Sequence, residues 1–494
     1  MAENQWGSNL SFILAMIGSA VGLGNIWRFS YVLYDNGGGA FYIPYLVAIL
    51  VMAIPFLILE YGVGYNFKSS FAKAIKTIDP KWEFLGWFLP LAVFIIMVYY
   101  SVLIGWDGIY FVLSFTKGWG SNPNNFFLNT LLQNSDSPLG LFNFIPVIAI
   151  AILIGWLIFW FISHKDLESG IGRISKFLVP LLFIIMIFIV IVSLSLPGAS
   201  IGLAELYHPD WYRLSDFGIW MEAFGQVIFS LSIGMSVAFT YASYTKDGTD
   251  LISNTFLITI ANSLFENFAA LGVFSILGYM SLQSGVPVES IVSEGTGLVF
   301  IVYPMVFNVL GQWAYVLGPL FFLTVYLAGF TSILSTMEPL SFSIQNKFAF
   351  SRSKTVTILC ILGGLLSMFY ATSFATNLLK YVDMFINQIA LLIAVVIECI
   401  LFSWIYKAEK VADSLNPNSK YIKLNKSWII MVKYIVPICI SIIWIGGVLD
   451  TIHDGGSTEF LFMSIVALSL IISTIVLTKL PAKNPEWDLD VERK

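Results

Sequence analysis

The chain has 494 residues, 58% of them hydrophobic and only 11% charged, with a formal net charge of −5. A soluble domain carries about 25% charged residues, so this composition excludes a soluble globular protein and points to a membrane. No basic tract interleaved with aromatics suggests nucleic acid, and Cys360, Cys399 and Cys439 lie in apolar runs that form neither a disulfide framework nor a zinc spacing.

A bilayer core of about 30 Å needs roughly 20 apolar residues per helix. In chain order, the apolar runs predict an all-α polytopic membrane protein with twelve spans. They fall at about 9–34, 40–65, 85–114, 142–162, 168–195, 217–244, 251–281, 313–346, 354–372, 378–406, 428–450 and 459–479. The cleanest is 142–162, which has no charge. The stretches 197–215 and 283–310 lie between spans, where short surface helices are expected. The first run continues into GSAVGLGN and is expected to stay as a span, not to be cleaved as a signal peptide.

Lysine and arginine set the expected orientation. Lys68, Lys73, Lys76 and Lys81 follow span 2. Lys347, Arg352 and Lys354 follow span 8, and Lys407, Lys410, Lys420, Lys423 and Lys426 follow span 10. The opposite loops carry chiefly Lys117 and Arg213, and hold Asp210, Asp216, Glu289, Glu294, Asp450 and Asp454. Both termini are therefore expected in the cytoplasm, with the protein in the cell membrane.

Span 1 contains GSAVGLGNIWRF, Gly18 to Phe29. Gly18, Gly22 and Gly24 make unwinding cheap. Lipid cannot satisfy a bare N–H or C=O, so an unwound backbone at mid-depth must line a polar site. There the freed carbonyls can coordinate a cation, and the amides of the second half-helix can receive an anion. Close helix packing is the structural alternative for these glycines, but it does not call for Asn25 and Arg28. Span 6 offers a second break in FSLSIGMS, Phe229 to Ser236. Interrupted segments at corresponding places in two halves point to inverted repeats. These would be spans 1–5 (9–195) and 6–10 (217–406), with spans 11 and 12 (428–479) added.

GSAVGLGNIWRF, NGGGAFYIPY, GQVIFSLSIG, TYASY and LAGFTS together resemble the neurotransmitter:sodium symporter family, in its prokaryotic amino-acid branch. The resemblance runs from Trp6 to about Trp404 and more weakly to the end. It implies no enzyme but a sodium-coupled importer of neutral, hydrophobic amino acids that works by alternating access and binds two sodium ions. In the first sodium site it places the carbonyl of Ala20 with Asn25, Ser230 and Asn262, completed by the substrate carboxylate. In the second it places the carbonyls of Gly18, Val21 and Ala328 with the hydroxyls of Thr331 and Ser332. On spacing alone those two hydroxyls can equally bond their own helix.

By the same resemblance, Ala20, Gly22, Leu23, Gly24 and Tyr100 meet the substrate's carboxylate and amine. Ile96, Phe229, Ser230, Ser232, Met235, Ser332 and Thr336 surround the rest of it. Amine-transporting relatives carry an aspartate where Gly22 stands, so glycine implies a substrate that brings its own carboxylate. Glu266 lies one helical turn after Asn262. Chloride-dependent relatives have serine there and bind chloride near the positions of Tyr45, Gln226 and Ser230, so Glu266 implies charge compensation without chloride. Glu60 is expected to hold helix geometry, not ions. Arg28 and Asp383 are expected to approach each other as the outer gate.

The inner gate departs from the family pattern, with Glu3 and Asn346 at the usual charged positions. A Glu3–Lys347 pair and neutral packing around Trp6 are both open. A proton-coupled transporter of the same architecture is the alternative reading, and a sensor that binds without transporting is another. The sequence gives no oligomeric state.

Overall fold

The computed structural model describes residues 5–292 and 295–488, and among these the ordered elements are helical, with no β-strand. Ten continuous helical stretches are long and apolar enough to cross a membrane. They are Gly38–Phe67 (span 2), Pro80–Ser114 (span 3), Pro146–Ser163 (span 4), Glu168–Leu194 (span 5) and Leu251–Ser284 (span 7). The others are Gly311–Phe348 (span 8), Arg352–Tyr370 (span 9), Ala375–Ile405 (span 10), Lys426–His453 (span 11) and Ser457–Lys479 (span 12). Span 1 is the bent pair Asn9–Ala20 and Leu23–Asp35, kinked by 54°. Span 6 is Phe217–Ser230 and Val237–Ser243, interrupted at 231–236. Adding these two broken spans gives the expected twelve.

Several helices start earlier than their apolar runs because polar residues cap them. Asp250 accepts from Ser253 N ahead of span 7, Ser351 from Lys354 N ahead of span 9, and Asn425 from Ser427 N and Trp428 N ahead of span 11. The two expected surface segments contain the helices Ala199–Tyr207 and Tyr303–Val309.

Each break has a local cause. In span 1 the first half ends at Val21 in extended backbone, and Gly22 caps the second half. Asn25 reaches back, and its Oδ1 accepts from Gly22 N at 2.8 Å. In span 6, Ser232, Gly234 and Ser236 all adopt left-handed backbone, with φ of +52°, +70° and +55°. A left-handed non-glycine residue costs about 1–2 kcal/mol, so the surroundings must hold this turn in place. Gly234 N donates to Glu60 Oε2 on span 2 at 3.3 Å.

The two breaks meet at the centre of the molecule. The carbonyl of Ser19 accepts from Ser232 Oγ at 3.2 Å and from Ser332 Oγ of span 8 at 3.1 Å. Span 3 runs alongside span 8, with Tyr110 against Phe322 at 5.4 Å. After span 12 the chain turns back under span 8. Lys483 N and Asn484 N donate to Lys347 O, and Trp487 is buried against Trp87.

Candidate functional site

Three spans bring one oxygen cluster together. Asn25 Nδ2 donates to Asn262 Oδ1 at 2.8 Å, and Asn262 Nδ2 donates to Ser230 Oγ at 2.9 Å. All three are buried, as is Ala20 at the end of the first half of span 1. One turn along span 7, Glu266 is buried and held by donors. Tyr45 Oη donates to its Oε2 at 2.5 Å, and Gln226 Nε2 to its Oε1 at 2.8 Å. Charge-assisted bonds of this kind support an ionised carboxylate away from water.

The second expected cluster lies where span 8 passes the first half of span 1. Gly18 is apposed to Thr331: a Cβ on Gly18 would sit 3.3 Å from Thr331 Cβ. Thr331 Oγ1 donates to Leu327 O at 2.9 Å and Ala328 O at 3.2 Å, which is the structural alternative the spacing left open. A hydroxyl that donates keeps two lone pairs for a cation, so this bond and ion coordination are compatible. Val21 and Ala328 are fully buried beside it.

Between the clusters, Tyr100 Oη of span 3 accepts from Leu23 N at 2.9 Å, across the break. A Cβ on Gly22 would lie 3.0 Å from Tyr100 Oη and 3.3 Å from Ser332 Oγ, so a larger residue has no room there. A Cβ on Gly24 would meet nothing within 4 Å. Ile96 lies one turn from Tyr100 and is buried, and Met235 is half-buried in the span 6 break. Thr336 Oγ1 bonds its own helix at Ile333 O, 2.7 Å.

At the other end of the second half of span 1, the arrangement differs from the expected gate. Arg28 donates to Gln226 Oε1 at 3.2 Å and pairs with the half-exposed Glu222 at 3.4 Å. Its guanidinium lies 5.0 Å from the centre of the Phe229 ring. Asp383 accepts instead from Tyr99 Oη and Asn387 Nδ2, both at 2.7 Å. The Arg28–Asp383 pair is therefore not closed here, because Glu222, four residues before Gln226 on the same helical face, competes for the arginine. Sequence reasoning passed over Glu222, although its spacing to Gln226 was visible. Arg28, Gln226 and Glu266 form a continuous hydrogen-bonded chain from this arginine to the first oxygen cluster.

At the opposite end, Trp6 fastens span 1 to the second half of span 6. Its backbone N donates to Tyr244 O at 3.0 Å and its Nε1 to Tyr241 O at 2.8 Å. Tyr244 Oη reaches Glu338, which also pairs with Arg352. Glu3 lies outside the described residues. Lys347 uses its three donors on Glu83 Oε1 at 2.8 Å, Leu477 O at 2.7 Å and Thr478 O at 2.9 Å, which does not favour a Glu3–Lys347 pair.

With this geometry in view, the chain matches the profile of the Sodium:neurotransmitter symporter family over residues 3–137 and 119–481. The chain belongs to this family. It is 34% identical over 481 residues to an uncharacterised sodium-dependent transporter of Methanocaldococcus jannaschii, covering 96% of this chain and 98% of that one. It is 29% identical over 453 residues to the sodium- and chloride-dependent GABA transporter 2 of Rattus norvegicus, covering 84% and 75%. Among solved structures, it is similar to MhsT in complex with L-phenylalanine, with a TM-score of 0.76, 29% identity, and coverage of 90% of this chain and 99% of that chain. This family member is a multi-pass, sodium-using transporter and not an enzyme.

Proposed function

We propose that the chain imports neutral, mainly apolar α-amino acids together with two sodium ions, without chloride, by alternating access. The observation that carries this reading is the break of span 1. It brings the amide of Leu23 and the phenol of Tyr100 together above a glycine that leaves no space for a side chain. A substrate carboxylate placed there meets donors on one face and the Ala20–Asn25–Asn262–Ser230 oxygens on the other. Sodium, a hard cation, takes such oxygen ligands, and the carboxylate completes its shell. Gly18, Val21, Ala328, Thr331 and Ser332 supply the second sodium site.

The side-chain end of the pocket is formed by Ile96, Phe229, Met235 and the small hydroxyl residues Ser232 and Thr336, with no fixed charge. A charged substrate side chain would lie unpaired there, at a cost of several kcal/mol. The L-phenylalanine bound in the MhsT crystal is consistent with this substrate class. Glu266 supplies the fixed negative charge beside the first sodium site. Arg28 and Asp383 close the outer path once the substrate is bound, and Trp6 closes the inner path, with both termini in the cytoplasm. The segments 9–195 and 217–406 act as the two repeats, and 428–479 as an addition.

Uptake of a panel of radiolabelled amino acids into proteoliposomes tests the reading. Neutral apolar amino acids should accumulate under an inward sodium gradient and not when potassium replaces sodium. Equal uptake in both salts would remove sodium as the driving ion and favour the proton-coupled alternative.

A further inference from the structure

Two buried carboxyl groups sit beside the break of span 6, and the sodium sites use neither. Glu60 of span 2 and Glu398 of span 10 are both fully buried. Glu60 Oε2 receives the N–H of Gly234, in the middle of the left-handed turn. Glu398 lies one turn beyond Val395, and the side chain of Val395 fills the space that a Cβ on Gly234 would need. Spans 2, 6 and 10 therefore meet at one point, with a carboxyl from each of the outer two. The carboxyls are close enough to interact electrostatically.

Their surroundings contrast with those of the other acids. Glu266 and Asp383 each receive two side-chain donors. Glu398 receives no bond on either oxygen, and Glu60 Oε1 receives none. The titratable groups facing the pair are Tyr61, beside Glu60, and Cys399, beside Glu398. Neither is charged at neutral pH. Among the described residues no lysine, arginine or histidine bonds either carboxyl. Asp107 of span 3 also lacks donors, but span 3 contributes no backbone to either break.

An unpaired carboxylate buried in hydrocarbon is costly, and two adjacent ones repel. We propose that the Glu60–Glu398 pair is a proton-binding site that holds the span 6 break in the conformation seen here, with the proton on Glu398 and Glu60 free to accept from Gly234. When the break moves away, water enters beside Glu398. The carboxyl O–H then dissociates, the electron pair stays on Glu398, and the proton leaves to that water. Proton binding and the position of the break are thereby linked, and linkage is reciprocal. Low pH favours the conformation seen here, and this preference is lost as pH rises through the ionisation of Glu398.

Hydrogen exchange over 231–243 in the purified full-length protein tests this without reference to substrate. After correction for the intrinsic pH dependence of exchange, protection of this segment in the natural protein should fall by about fivefold or more between about pH 6 and about pH 9. Glu398→Gln, which fixes the neutral form, should keep the low-pH protection throughout. Glu60→Gln should move the midpoint to lower pH, because removing the neighbouring negative charge eases ionisation of Glu398. Protection independent of pH in the natural protein, or a Glu398→Gln profile that follows it, would overturn the proposal. Should Glu398→Gln fail to fold, the natural protein and Glu60→Gln still decide: an unmoved midpoint in Glu60→Gln also overturns it.

Discussion

Asn25 holds the end of a half-helix and faces the ion-binding oxygens with the same side chain. Its Oδ1 caps Gly22, while its Nδ2 reaches Asn262. Sequence pattern showed the glycines, the asparagine and the arginine. It did not show that the asparagine is the cap that makes the break stable, because that role needs the backbone of Gly22 in extended form. Glu266 is a second case. Its spacing from Asn262 was legible, but its donors come from Tyr45, 221 residues away in sequence, and Gln226, 40 residues away. These donors also make the residue testable. Glu266→Ser would leave the Tyr45 hydroxyl and the Gln226 amide without their acceptor, and each unsatisfied buried donor costs about 1–3 kcal/mol. Chloride can restore the missing charge. Uptake by Glu266→Ser should therefore fall about tenfold or more in chloride-free buffer and recover with chloride. The same uptake with and without chloride would refute the role given to Glu266.

The broken spans show what periodicity alone can reach at the level of elements. Both breaks were legible as interruptions in apolar runs, because glycine and serine stand where leucine and valine otherwise would. The shape of the second was not legible. Three left-handed residues within five positions, two of them serines, require tertiary support, and that support comes from Glu60 and Val395 on distant spans. Gly234→Ala measures it. The left-handed backbone costs about 1–2 kcal/mol for alanine, and overpacking against Val395 adds about 1–3 kcal/mol. The variant should therefore melt measurably lower in detergent. Adding Val395→Ala should recover the overpacking part but not the backbone part. A single variant as stable as the natural protein would contradict the packing at this turn.

Across the whole molecule, composition and apolar runs were enough for a twelve-span helical protein, since a bilayer constrains helix length and internal bonding so strongly. The fastening at the end of the chain was hidden, because charge there follows contacts rather than sequence. Lys347 looked like a free surface lysine, and it is buried against Glu83 of span 3 and two carbonyls of span 12. Its backbone carbonyl then receives the amides of Lys483 and Asn484, and the ring of Trp487 lies 5.3 Å from its ammonium and 5.6 Å from that of Lys76. Lys76 belongs to the helix Phe71–Ile78, whose Phe71 packs on Phe239 of span 6 at 5.2 Å. The tail thus ties that helix, and through it the second half of span 6, to spans 3 and 8. Removing a buried tryptophan costs about 3–5 kcal/mol, and here the loss should fall on the tail and not on the bundle, because Lys347 keeps Glu83. Trp487→Ala should therefore expose the lysines at 479 and 483 to trypsin within minutes, while sodium-dependent uptake persists with altered turnover. Resistance to trypsin equal to that of the natural protein would show that the tail is held without Trp487, by its two backbone bonds to Lys347.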